Sequence, residues 1–234
     1  PVTARFLYGA PGSNLTGSAS LRLVVDPAPF PALTGYRIGQ IGETYAQRMV
    51  ELQVPETDAQ GRTTIKVDVG RLPDTTFALK AEIELGIDDP AGRASRATAS
   101  IPVRPAGPLI GLKPLFEGNA VDANTEAAFE IAAVSPEGVR IPLGAKLRLV
   151  RERPDWRLVT RGSLARYETV WRDQPLETQD LAIPADAPLR FARRLDFGRY
   201  RIEVAQANGM AITSYRFRAG WASSDSPDVP DRVD

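Results

Sequence analysis

The stretch "FGRYRIEVAQANGMAITSYRFRAGW", residues 197–221, contains the clearest signal of the fold. On each side of Asn208–Gly209, apolar and polar residues alternate, which is typical of half-buried β-strands. Asn-Gly is the preferred dipeptide of a two-residue type I′ hairpin turn, in which both residues take a positive φ. The sequence therefore predicts a β-hairpin centred on this dipeptide.

Such a turn also determines which residues of the two strands face each other. One face of the predicted hairpin is apolar and carries the pairs Tyr200–Phe217, Ile202–Tyr215 and Val204–Thr213. The other face carries the pairs Glu203–Ser214, Arg201–Arg216 and Arg199–Arg218. The turn and the apolar pattern agree on one register, so we expect the first face to be buried. The facing arginines repel each other, and we expect them to point to solvent.

Short alternating segments recur along the whole chain. They are residues 20–26, 63–69, 80–87, 128–134 and 145–153. Turn-forming clusters such as "DAQGR", "DDPAGR" and "SPEGVR" separate strand-like segments, and no window has the pattern of an amphipathic helix. We therefore predict an all-β protein built from two tandem antiparallel β-sandwiches of the immunoglobulin or fibronectin type III kind.

Internal similarity indicates where the two sandwiches begin and end. "GSASLRLV" at residues 17–24 resembles "LGAKLRLV" at 143–150, and "RPAGP" at 104–108 resembles "RAGW" at 218–221. We predict domains at 1–105 and 106–220, joined by residues 102–108, and a linker at 221–234 that leads into a next domain. The second copy has one extra strand-like segment, residues 108–116, at its start. We therefore expect the first copy to lack its opening strand.

The composition excludes several classes of function. The chain has 29 basic and 29 acidic side chains, no cysteine and no histidine. A balanced charge provides no overall field to attract nucleic acid or an acidic membrane, and we expect contact with neither. Disulfides, zinc sites of the cysteine–histidine kind and catalytic triads that need histidine or cysteine are excluded.

No residue pattern indicates a catalytic, cofactor-binding or metal site. Asp225, Asp228 and Asp231 are spaced along the acidic tail, but two prolines favour an extended linker over a calcium loop. The serines lack a histidine partner and a Gly-x-Ser-x-Gly motif. We therefore predict that the chain is not an enzyme and has no cofactor.

Two segments need a partner or a specific environment. Residues 148–172 contain seven arginines and three acidic residues, together with Trp156, Tyr167 and Trp171. Two strands with outward arginines would explain this composition, and so would a protein contact or a site for single-stranded nucleic acid; we prefer the first. Residues 26–43 are too apolar for a free loop, so we expect them to pack onto their sandwich or a neighbour. Their apolar residues are Phe30, Leu33, Tyr36 and Ile38.

Several of these motifs together resemble bacterial α2-macroglobulins. In the first half the resemblance is carried by "ARFLYGAPGSNLTGSASLRL" and then "PFPALTGYRIG". In the second half it is carried by "RPAGPLIGLKPLFEGNAVDANTEAAFEIAAVSPEG", "LRLVRER", "FGRYRIEV" and "FRAGW" with "DSPDVPDR". The resemblance implies two adjacent macroglobulin-like domains, the fifth and sixth, which precede the bait-region domain. One departure is "WRL" at 156–158, where relatives tend to show Tyr-Gln-Trp.

The resemblance also implies a function and a location. Members of this family are broad-spectrum protease traps of the periplasm, and the full-length protein can be lipid-anchored to the inner membrane. Cleavage of the bait leads to capture by a Cys–Gln thioester, which this cysteine-free chain does not contain. We expect a monomeric scaffold fragment that contacts neighbouring domains of its own full-length chain, and proteases only through that chain. The alternative is an immunoglobulin-like adhesin or a carbohydrate-binding array.

Overall fold

A computed structural model describes residues 1–161 and 164–220, with the backbone alone for residues 158–161 and 164–168. The described residues form β-strands and a single turn of 3-10 helix, Pro31–Leu33, which confirms the predicted fold class. No helix among them has the length and apolar character needed to cross a bilayer. Residues 221–234, the predicted linker, lie outside the described residues.

Contacts between residues divide the chain into two units. The first contains Pro1–Asp26, Tyr45–Thr75 and Leu79–Arg104. The second contains Pro27–Thr44, Thr76–Ala78 and the chain from Pro105 onward. Residues 27–44, called the arm below, thus belong to the second unit although the first unit surrounds them in the sequence. The predicted domain limits at 105 and 220 stay predictions.

The first unit is built around one antiparallel sheet of four strands, in the order β3-β2-β5-β6. A separate two-residue pair joins β1 to β4. The strands of this unit are β1 (Val2–Thr3), β2 (Gly17–Val25), β3 (Arg48–Leu52), β4 (Arg62–Thr63), β5 (Leu79–Asp88) and β6 (Ala94–Val103). Alternate residues of β2 and β5 are buried on one face, among them Leu21, Leu23, Ala81 and Ile83.

The layer that covers this face differs from the predicted one. Residues 63–69 were expected to form a strand, but β4 ends at Thr63 and the prediction is wrong beyond it. Ile65, Val67 and Val69 nevertheless pack on the sheet. The alternating pattern indicates which side chains are buried. A strand also needs a hydrogen-bonded neighbour, and residues 64–69 belong to none of the sheets in the described part of the chain.

The second unit consists of two sheets packed face to face. Five strands lie in the order β11-β10-β13-β14-β8 and three in the order β12-β9-β7. All neighbours are antiparallel except β14 and β8. The strands are β7 (Leu109–Pro114), β8 (Ala120–Val121), β9 (Thr125–Val134), β10 (Leu143–Arg161), β11 (Leu164–Ile183), β12 (Leu189–Leu195), β13 (Gly198–Gln206) and β14 (Ile212–Ala219).

The core of this unit lies between the two sheets. Phe129 and Ile131 of β9 meet Leu147 of β10 and Phe217 of β14 in one buried cluster. The ring centroids of Phe129 and Phe217 are 5.1 Å apart at an interplanar angle of 63°. Edge-to-face contacts of this kind stabilise a core beyond the burial of the rings.

The register predicted for the β13–β14 hairpin is confirmed. Tyr200 faces Phe217, Ile202 faces Tyr215 and Val204 faces Thr213, and all six side chains are buried. The turn type is wrong, because neither Asn208 nor Gly209 has a positive φ. The backbone N–H of Gln206 donates to the carbonyl of Ala211, so four residues form the loop instead of two. Four-residue hairpin loops are usually built around a type I turn, which needs no positive φ at these positions.

The arm packs on β7 and β9 of the second unit. Leu33 and Tyr36 are buried in one cluster with Leu109, Ala132 and Val134. Phe30 and Ile38 pack against the same cluster. The predicted packing of this apolar segment is confirmed, and it is the neighbouring unit that receives it.

Backbone hydrogen bonds continue the contact from one sheet to the other. Arg37 and Leu112 of β7 exchange two N–H···O bonds of 2.9 Å. The N–H of Gly39 donates to Oγ1 of Thr213 at 3.1 Å, and its carbonyl accepts from the N–H of Ser214 at 3.1 Å. The arm therefore closes the side of the sandwich between β7 and β14. It also buries Ser214, which the alternating pattern had placed on the solvent face.

Tyr215 should be a major source of stability for the second unit, because its ring is buried and its hydroxyl donates to the carbonyl of Gly118 at 2.9 Å. We expect Tyr215→Ala to lower the free energy of unfolding by roughly 2–4 kcal/mol. Tyr215→Phe keeps the ring and removes one hydrogen bond, so it should cost about 1 kcal/mol. Urea unfolding of both variants tests this, and equal losses would contradict the packing argument.

The close approach of the arm should depend on a glycine of β7. A Cβ at Gly111 would lie 2.8 Å from Cδ2 of Leu33 and 3.0 Å from Cβ of Tyr36. We expect Gly111→Val to displace the arm and cost roughly 1–3 kcal/mol. Hydrogen exchange of the Gly39 amide should then become faster. Gly144→Val in β10 is the matched control, since nothing lies within 4 Å of its Cβ position, and unchanged exchange in Gly111→Val would refute the prediction.

Candidate interaction surface at the base of the β10–β11 ribbon

β10 and β11 extend well beyond the sheet to which they belong. β10 pairs with β13 only from Ala145–Gln206 to Glu152–Arg199. Beyond this point β10 and β11 pair with each other from Arg153–Arg172 to Arg161–Leu164. This two-stranded part, called the ribbon below, is about 30 Å long at about 3.3 Å per residue. The two strands predicted within residues 148–172 are thus confirmed, while Gly162 and Ser163 between them lie outside the described residues.

The aromatic residues singled out in the sequence lie along the ribbon. Trp156 is 65% exposed. Trp171 is half-buried, and the guanidinium carbon of Arg199 lies 4.2 Å from the centroid of its ring. This is the geometry of a cation–π contact. The Tyr167 side chain lies outside the described residues, as do Asp225, Asp228 and Asp231.

Next to Trp171, three arginines converge on one buried carboxylate. Glu152 is 3% exposed. Arg199 Nε donates to its Oε2 at 2.8 Å, and Arg201 Nη1 donates to its Oε1 at 2.8 Å. Arg216 Nε lies 3.1 Å from Oε1 and 2.8 Å from Oε2. Arg201 also donates through Nη2 to Asp173 of β11.

This cluster corrects the expectation that the facing arginines of β13 and β14 point to solvent. The side chains of Arg199, Arg201 and Arg216 are only 10–19% exposed. The register of β10 against β13 places Glu152 directly opposite Arg199 on the outer face of the sheet. The carboxylate therefore lies between like charges that would otherwise repel each other.

The environment of Arg201 shows which force dominates in the cluster. Burial alone lowers the pKa of this guanidinium, but the hydrogen bond and charge of Asp173 and the charge of Glu152 outweigh burial. The pKa of Arg201 is therefore raised above its ordinary value. Asp173 and Glu152 therefore favour the charged form of Arg201 in spite of its burial.

A groove adjoins the cluster where the ribbon leaves the sheet. It has a volume of about 610 Å³. Apolar surface comes from Pro154, Trp171 and Phe197, and Phe197 is 60% exposed. Four arginines and one glutamate supply the charge, namely Arg151, Arg153, Arg199, Arg218 and Glu152. We call this site the arginine groove.

The arginine groove has the composition of a binding surface for acidic polypeptide. Guanidinium groups bind carboxylates in a fixed geometry, and flat aromatic and proline surfaces give apolar contact at a low entropic cost. In the described part of the chain no three histidine, cysteine, aspartate or glutamate side chains are placed to hold a metal ion. The surface suits recognition and offers no group that would act as an activated nucleophile.

Sequence reasoning located the ribbon but missed the role of Glu152. In the sequence Glu152 was one of three acidic residues within 148–172. Its partners Arg199, Arg201 and Arg216 were assigned to the hairpin of β13 and β14. The connection appears only when β10 is placed next to β13, which is a contact between residues about 50 positions apart. The available signal was a single acidic residue in an alternating strand opposite a face with four arginines.

Comparison with known protein families matches two domain families of bacterial macroglobulins to successive parts of the chain. The family described as "Bacterial Alpha-2-macroglobulin MG5 domain" matches residues 1–105. The family described as "Bacterial macroglobulin domain 6" matches residues 111–221. The two matches follow one another and cover almost the whole chain.

Individual relatives agree with these matches. The chain is 25% identical over 224 residues to an alpha-2-macroglobulin of Xylella fastidiosa, which is 95% of this chain and 14% of that protein. The native conformation of Escherichia coli alpha-2-macroglobulin matches 99% of this chain and 16% of its own, at 25% identity and a TM-score of 0.71. The same E. coli protein activated by porcine elastase matches 95% of this chain and 20% of its own, at 27% identity and a TM-score of 0.71. The chain therefore spans about one seventh of the length of the Xylella fastidiosa protein.

Removing the carboxylate of the cluster should destabilise the second unit strongly. We expect Glu152→Ala to lower the free energy of unfolding by about 3–5 kcal/mol, because three buried arginines would lose their shared partner. Glu126→Ala is the matched control, since its pair with Arg190 is more than half exposed on both sides and should contribute under about 1 kcal/mol. Chemical unfolding at low and high salt measures both. A loss in Glu152→Ala no larger than in the control would contradict the assigned role.

Proposed function

Because the chain belongs to the bacterial alpha-2-macroglobulin family, we propose that it is a structural part of a protease inhibitor and is not an enzyme. The observation that carries the proposal is the succession of the fifth and sixth domain types along residues 1–105 and 111–221. An adhesin or a carbohydrate-binding array, the alternative from the sequence, is not favoured by these matches.

The reactive parts of the inhibitor belong elsewhere in the full-length protein under this proposal. A thioester needs a cysteine sulfur, and this chain has no cysteine. The bait that proteases cleave would likewise lie in another domain. The E. coli relative has been solved after activation by elastase and by trypsin, so that protein responds to two different proteases. We extend this response to the protein that contains the present chain.

The architecture supports a scaffold role. The core of the second unit is continuous between its two sheets, and the arm closes one side of it with backbone hydrogen bonds. A buried ion cluster joins β10, β11, β13 and β14 on the outer face. We expect such a unit to open locally only at a high cost in free energy, which suits a support for a cleavable bait.

The proposal includes partners and a location. We propose that the chain contacts neighbouring domains of its own full-length polypeptide, meets proteases only through that polypeptide, and is monomeric by itself. We further propose that the full-length protein acts in the periplasm, lipid-anchored to the inner membrane. These statements rest on family membership.

The isolated chain should neither inhibit nor covalently capture a protease. Trypsin and elastase incubated with a tenfold excess of the chain should keep their full activity on a large protein substrate, because neither bait nor acyl group is present. Denaturing electrophoresis should show no chain–protease adduct. The control is the full-length protein from the same source, which should reduce activity on the large substrate. An adduct with the isolated chain, or a stoichiometric loss of activity, would show that the proposed division of roles is wrong.

A further inference from the structure

Glu152 and Arg199 of the arginine groove belong to the ion cluster of the scaffold, but the open, exposed part of the groove has no role described so far. Its apolar surface includes Phe197, which is 60% exposed, and its charge is an excess of arginine over glutamate. Arg153 is exposed at the base of the ribbon. An exposed apolar and cationic groove of this kind is suited to an acidic, extended polypeptide segment.

The chain itself passes this groove at the end of β14. Arg218 and Ala219, the last residues of that strand, form one wall. The N–H of Gly220 donates to the carbonyl of Val121 at 2.8 Å, which fixes the position from which the chain continues. The ribbon, the opposite wall, is two strands away from β14, or about 10 Å at about 4.8 Å per strand.

The sequence that follows Gly220 is complementary to the groove in its order of residues. Trp221 comes first and is apolar, as is the surface next to Ala219. Four aspartates and one arginine follow, namely Asp225, Asp228, Asp231, Asp234 and Arg232. This acidic excess is opposite in sign to that of the groove. Fourteen residues can span up to about 45 Å when extended, so length does not limit the contact.

We propose that the arginine groove binds the chain's own acidic tail, residues 221–234. Aspartates of the tail pair with Arg153 and with the other arginines of the groove. Trp221, at the start of the tail, packs on the apolar part of the groove. Binding within one chain benefits from a high effective concentration, so weak individual pairs are sufficient. Because the charges are near solvent, the interaction weakens as salt screens them.

The proposal can be tested on the whole chain through the tryptic bond after Arg232. The rate of cleavage at this bond is measured by mass spectrometry, with an isotopically labelled peptide of residues 221–234 in the same tube as the unbound reference. We expect cleavage in the chain to be at least about fivefold slower than in the peptide at about 20 mM salt, and the difference to vanish at about 0.5 M.

Variants test whether the slower cleavage after Arg232, called protection below, depends on the groove. Arg153→Glu should remove most of the protection, and so should Asp225→Asn combined with Asp228→Asn. The triple variant should be no faster than either, because both changes break the same contact. Arg194→Glu is the matched control: Arg194 is exposed on β12, in the opposite sheet of the same unit, and its replacement should leave the rate unchanged.

Three outcomes would overturn the proposal. Equal cleavage rates for the chain and the reference peptide at low salt would show that the tail is not held. Equal protection in wild type and Arg153→Glu would show that it is held elsewhere. Protection that grows with protein concentration would show that the groove takes the tail of a second copy. None of these outcomes depends on inhibitor activity, so the scaffold proposal is tested separately.

Discussion

The register of β13 against β14 constrains almost everything else in the second unit. Side chains of paired strands alternate between two faces, so the same register that buries Tyr200 and Phe217 directs four arginines to the opposite face. Four guanidinium groups on one small surface repel each other unless an anion lies among them. Glu152 binds three of them, and its position requires β10 to pair with β13 in the observed alignment. The buried aromatic face and the ionic outer face are therefore two results of a single pairing.

The arm provides the other constraint, and small residues make it possible. Gly111 lets Leu33 and Tyr36 approach β7, and Gly39 takes a φ of 95° against the ring of Phe77. A side chain would be strained at Gly39 because that φ is unfavourable for any residue with a Cβ. β7 and β14 provide hydrogen-bond partners for the backbone of Arg37 and Gly39, which compensates for the burial of these polar groups in an irregular segment.

Local pattern was sufficient for much of the fold and insufficient for the site. Alternation in residues 197–219 predicted the hairpin register, because the position of a nearby turn determines which residues of the two strands face each other. The same pattern in residues 63–69 predicted a strand that ends at Thr63, because alternation reports burial without showing whether a neighbour is present. The type I′ turn was wrong because Asn-Gly permits a positive φ and does not require it. The Glu152 cluster was missed because it depends on the pairing of β10 with β13, which no nearby turn determines.

The ribbon has a consequence for how this domain can change over evolution. Its outer part is bounded by β10 and β11 alone, so residues can be added or removed there without disturbing the core between the sheets. Because side chains alternate with a period of two, an insertion of one residue in each strand would invert every side chain beyond it relative to the base. Insertions of two residues in each strand would keep Trp156 and Trp171 on their present face. Homologous ribbons should therefore differ in length by even steps per strand, while the base near Glu152 keeps its spacing.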